Sequence, residues 1–117
     1  MRLQKTKIVA DIDAGQAVIR FVPIAVREMS EVQKIMEEIE DVAYNNKVTL
    51  VVINFARLKQ LTSSFLSRLV TLNKSLTQAN VGLRLCCMTP VVEEAFKICK
   101  LQKLISLYDT EEKALTG

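Results

Sequence analysis

The segment from Leu50 to Leu66 restricts the fold of this chain more than any other. Leu50-Val-Val-Ile-Asn-Phe55 is almost wholly apolar, which suits a central strand crowded by neighbours on both faces. It passes through a short loop into a hydroxyl cluster, Thr62-Ser63-Ser64. An amphipathic helix follows at once over 64–79, with Phe65, Leu66, Leu69, Val70, Leu72 and Leu76 on one stripe and Asn73 as its polar interruption. A strand that feeds a helix across a short loop must recross the sheet, and right-handed crossovers make the strands that follow parallel. The chain is therefore read as α/β.

The remaining segments fit that frame. Residues 3–10 and 17–22 read as an antiparallel strand pair around a turn at Asp11-Ile-Asp-Ala-Gly15, with Pro23 ending the second strand. A helix over 30–45 has a capping box at Ser30 and Gln33. Its inner face is Val32, Ile35, Met36, Ile39, Val42 and Ala43; Glu31, Glu37, Glu38 and Glu40 lie mainly on the outer one, and Asn45-Asn46 stop it. Asn80-Val-Gly82 is a turn, and Leu83–Met88 is the next strand, whose Arg84 suggests a sheet face partly open to water. Thr89-Pro90 caps a helix running to about Lys100, with Val92, Ala95, Phe96 and Cys99 inward. A short strand at Leu104–Tyr108 and a last helix opened by Asp109-Thr-Glu-Glu complete the order ββαβαβαβα: about five strands and four helices in one domain over 1–117.

Composition removes several function classes. The net charge of +3, from 16 basic and 13 acidic residues, is too mild to point to nucleic acid. Lys97, Lys100 and Lys103 read as a solvated helix end. No run approaches the ~20 apolar residues of a membrane helix, and the start lacks the apolar stretch of a signal peptide. The expectation is a soluble cytoplasmic protein.

With no histidine, the commonest general base and metal ligand are missing. Cys86, Cys87 and Cys99 are an odd count without CxxC spacing, so neither a disulfide framework nor a zinc site is expected; all three read as buried, inert thiols. Asp11 and Asp13 could face a cation, but a solvated turn is the plainer reading. Phosphate-binding glycine motifs are absent. No metal, no cofactor and no enzymatic activity are expected.

The Thr62-Ser63-Ser64 cluster carries two readings. One hydroxyl caps the helix, or the cluster is a regulatory phosphorylation site at a helix start that favours negative charge.

Here the chain resembles the STAS domain, the family of anti-sigma-factor antagonists. The family pattern is an apolar strand ending in Asp-Leu-Ser-Gly-Val, a few residues, then Asp-Ser-Ser-Gly-Leu opening a helix. Val51-Val-Ile-Asn-Phe-Ala-Arg-Leu-Lys-Gln-Leu-Thr-Ser-Ser-Phe-Leu66 has that spacing. Leu83–Leu101, with its Thr-Pro cap, and Leu104–Leu115, with its tyrosine, acids and alanine-leucine, resemble the rest of the family's chain. The resemblance implies a non-catalytic regulatory module, controlled by phosphorylation of Ser63 by a partner Ser/Thr kinase that is itself the anti-sigma factor, with a phosphatase as a further partner. Ser64 and Thr62 are the alternative acceptors, and Asn54, Leu61, Thr62, Ser63, Ser64 and Phe65 the implied contact set.

The chain departs from the pattern where Asn54 and Thr62 replace aspartates and Phe65 replaces glycine. Relatives without the full motif act as scaffold or modulatory subunits, which is the second reading, with Leu61 and Phe65 as a constant apolar contact. A nucleotide or small-molecule binder is the third, and homo-oligomers are left open.

Overall fold

A computed structural model describes residues 1–22, 29–58 and 62–117, without the side chains of Met29 and Ser30. The described strands are β1 (Arg2–Gln4), β2 (Ile8–Asp13), β3 (Gln16–Phe21), β4 (Leu50–Asn54), β5 (Gly82–Cys86) and β6 (Ser106–Tyr108). The described helices are α1 (Met29–Asn45), α2 (Ser63–Gln78), α3 (Pro90–Ile98) and α4 (Glu111–Thr116). The strands form one sheet in chain order, β1 to β6. β1–β2 and β2–β3 pair antiparallel, whereas β3 through β6 run parallel.

The mixed α/β expectation holds, with six strands in place of about five. The segment read as one strand over 3–10 is broken at Lys5–Lys7 by a bend. Glu38 of α1 makes that bend: its carboxylate accepts the backbone N–H groups of Thr6 (3.1 Å) and Lys7 (2.8 Å). This corrects the placement of Glu38 on the outer helix face, since it is only 7% exposed. A buried carboxylate is tolerated where it is fully hydrogen-bonded. The first turn also shifts, because β2 continues through Asp11 to Asp13. The reversal falls on Ala14 (φ 49) and Gly15 (φ 80), left-handed conformations suited to a tight hairpin. Pro23 lies outside the described residues, as does the Ser30 side chain expected to cap α1.

Two layers cover the sheet. On one face, α1, α2 and α3 bury their apolar stripes over Ile8, Ala10, Ile19, Val51, Ile53 and Leu85. On the other, α4 sets Ala114 against Val18, Val52 and Cys86. The face that Arg84 marked as partly wet is therefore the one α4 covers. The Arg84 guanidinium donates to the Ala114 carbonyl at 2.7 Å and lies 5.7 Å from the Tyr108 ring centre. The last strand is shorter than expected, as Leu101–Lys103 forms a 3-10 turn before it. Cys99 is exposed just past the end of α3, and Cys87 is half-buried, so only Cys86 is the fully buried thiol expected of all three.

Parallel βα units place the N-termini of α2, α3 and α4 at the carboxyl ends of their strands. Each begins with a threonine cap: Thr62, Thr89 and Thr110 accept the N–H groups of Phe65, Val92 and Lys113. The functional question sits at this end of the sheet.

Candidate functional site

The structure assigns different tasks to the three hydroxyls. Thr62 is the cap of α2, with extended backbone (φ −92, ψ 160) and its Oγ1 accepting the Phe65 N–H at 3.1 Å. Its carbonyl accepts the Leu66 N–H at 3.2 Å. Ser63 is the first helical residue and is exposed; Ser64 is half-buried behind it. The cap explains one hydroxyl of the cluster and leaves the most exposed one with no capping duty.

Ser63 and Ser64 open a shallow groove of about 370 Å³ that continues over Ser67, Arg68 and Thr71. These three residues were not singled out from the sequence. Ser67 and Arg68 follow Ser64 by three and four, and Thr71 follows Arg68 and Ser67 by three and four, which places them on one helix face; that signal could have found them. Arg68 supplies a positive charge one turn from Ser64. The first turn of α2 contains no acidic residue, so an anion at Ser63 would meet the positive helix end with no like charge from that turn.

Phe65, expected as bulk beside the serine or as a surface contact, points inward and is 1% exposed. It packs edge-to-face with Phe21 and Phe55, ring centres 6.1 Å from each, and those two stand 5.6 Å apart. The larger side chain at the glycine position is thus absorbed by the core and does not cover Ser63. Leu61 lies outside the described residues.

Asn54 is not brought to the cluster. Its side chain leaves the sheet on the α4 face, opposite to the face that α2 covers. Its Oδ1 accepts the Ala56 N–H at 2.8 Å, and its Nδ2 donates to Glu111 of α4. Arg20 donates to both oxygens of Glu111 (2.9 and 2.7 Å) and to Asp11, which also receives Arg2. The Arg20 hydrogen bonds hold the Glu111 carboxyl below its ordinary value, with Asn54 adding to that effect and burial opposing it. Asp11 is held low in the same sense, chiefly by Arg2. An aspartate at position 54 would set a second negative charge against Glu111. The neutral amide fits this surrounding better than the acid of the family pattern.

Among the described residues, no group of three or more Cys, Asp or Glu side chains is arranged to hold a metal ion. No described helix is long and apolar enough to cross a membrane.

A STAS domain model matches residues 29–114, and the chain belongs to the STAS domain family. No curated protein sequence matches it significantly. Its fold is similar to that of an anti-sigma-factor antagonist (STAS) domain protein from Planctomyces limnophilus, at 22% identity and TM-score 0.80 over 93% of this chain and 95% of that one. It is also similar to the Bacillus cell fate determinant SpoIIAA in its phosphorylated form, at 21% identity and TM-score 0.68 over 93% and 96%. A sulfate transporter family protein from Wolinella succinogenes shares the fold at 13% identity and TM-score 0.70 over 91% and 86%.

Proposed function

We propose that this STAS domain is a regulatory protein-binding module of the anti-sigma-factor antagonist type, switched by phosphorylation of Ser63. The partner is a cytoplasmic Ser/Thr kinase that acts as the anti-sigma factor, and a phosphatase resets the switch. The observation that carries this reading is the division of labour at the start of α2. Thr62 holds the cap, Phe65 is turned into the core, and Ser63 is left exposed. That SpoIIAA takes a phosphorylated form with a similar fold supports it.

The electrostatics give the switch its direction. A phosphate adds about −1.5 to −2 charge. At the first residue of α2 it meets the positive helix end, so it is tolerated by the domain itself. The cost falls on the complex, where a bulky dianion must be desolvated against the partner. Phosphorylation therefore releases the partner without unfolding the module.

The test is to incubate the protein with ATP, magnesium and a lysate of its own host, and to sequence the 62–68 peptide by mass spectrometry. Phosphate is expected on Ser63, lost in Ser63→Ala and kept in Ser64→Ala, and Ser63→Asp is expected to weaken capture of the kinase. An unmodified peptide, together with partner capture that ignores Ser63→Asp, would overturn the switch. The replacement of the acid by Thr62 favours the alternative of a constitutive scaffold subunit, and that outcome would select it.

A further inference from the structure

Cys86 and Cys87 are adjacent, and in a regular strand adjacent side chains point to opposite faces of the sheet. Here they do not. Cys87 takes a left-handed backbone conformation (φ 61) just past the end of β5. That conformation is uncommon for any non-glycine residue and cysteine has no special preference for it. The turn brings both side chains into the same apolar layer under α4, with Val18, Val52 and Ala114. The backbone on either side is pinned: the Phe55 N–H donates to the Cys86 carbonyl at 2.9 Å, and the Cys87 N–H donates to the Tyr108 carbonyl at 3.3 Å.

We propose that Cys86 and Cys87 are a vicinal dithiol that is oxidised by a peroxide to an intramolecular Cys86–Cys87 disulfide. Cys87 is half-buried and Cys86 fully buried, so the oxidant meets Cys87 first. The Cys87 thiolate attacks one peroxide oxygen, the O–O bond breaks, and the second oxygen leaves as water, giving a sulfenic acid on Cys87. The Cys86 sulfur then attacks the Cys87 sulfur. The S–O bond breaks, and the hydroxyl leaves with the Cys86 proton as a second water. Two thiols lose two electrons and one peroxide becomes two waters.

Burial, with the neighbouring Cys87 adding to it, pushes the Cys86 thiol up to about 12. Cys86 is accordingly the resolving thiol, and closure quickens as pH rises. Neighbouring Cα atoms are about 3.8 Å apart, shorter than the roughly 4.4 Å at which disulfide spans ordinarily begin. Such a bond is strained and returns readily to thiols, which makes the modification reversible. The Phe55 hydrogen bond places it at the root of the segment that leads from β4 toward Ser63.

The test uses full-length protein carrying Cys99→Ser, which removes the exposed third thiol. Treatment of the native protein with hydrogen peroxide is expected to remove both remaining thiols and the mass of two hydrogens. The product should stay monomeric and be restored by dithiothreitol. Closure should be faster in the native protein than in urea, because the fold holds the left-handed turn. The further variant Cys87→Ser should show no loss of hydrogens. The proposal is overturned by added oxygens in place of lost hydrogens, by a linked dimer, by no change in mass, or by closure as fast in urea as in the native protein.

Discussion

At the scale of single residues, the start of α2 separates a structural hydroxyl from a spare one. Thr62→Ala removes the cap and is expected to cost about 1 kcal/mol, read as a lower urea midpoint. Ser63→Ala touches no bond that holds the fold and should stay within about 0.5 kcal/mol. The contrast matters because it lets Ser63→Ala report on the switch alone. Phe65→Ala opens a hole between Phe21 and Phe55, with an expected loss of about 3–5 kcal/mol, measured by the same denaturation. Phe65 was legible as part of an apolar helical stripe. Its partners were not, since Phe21 ends β3 and Phe55 follows β4. Glu38 shows the opposite case. Helical periodicity put it outward, and only the approach of the β1–β2 bend supplied the two N–H groups that draw it in.

At the scale of elements, α4 is attached to the sheet partly through charge. Arg20 joins Glu111 to Asp11, and Asn54 closes the group. The Glu111 and Asp11 carboxyls are both held below their ordinary values of 4.5 and 3.8. Their charged forms therefore favour the folded state. That contribution is fully present above the ordinary values and is lost as pH falls through the lower folded ones. Acid unfolding followed by circular dichroism should show this loss below about pH 4.5, the ordinary value of Glu111. Glu111→Gln should flatten that part of the curve. Asn54→Asp adds a like charge beside Glu111 and should lower stability at neutral pH, with partial relief as the acids protonate. The sequence announced α4 through its acidic first turn, yet it placed Asp11 in a turn and Asn54 at the hydroxyl cluster. Strand register decided both, because Asp11 sits level with Arg2 on β1, and Arg20 sits level with Asn54 on β4.

At the scale of the whole molecule, the family match begins at residue 29, but the fold does not. Ile8, Ala10, Ile19 and Phe21 are buried in the main core, and β3 is the neighbour of β4. Deleting residues 1–22 should expose the edge of β4 and empty one corner of the aromatic group. The expected result is loss of the cooperative denaturant transition, checked by circular dichroism and near-ultraviolet signal. The sequence by itself determined the class of fold and the position of the hydroxyl cluster. Hydrophobic periodicity, caps and loop lengths are local properties, and they were enough to order strands and helices. The tertiary structure alone decided where Phe65 and Asn54 point, and that two neighbouring thiols share one face. Each of these depends on groups far apart in the chain, or on a backbone turn that no residue type announces, and becomes defined only when the sheet and its two helical layers close.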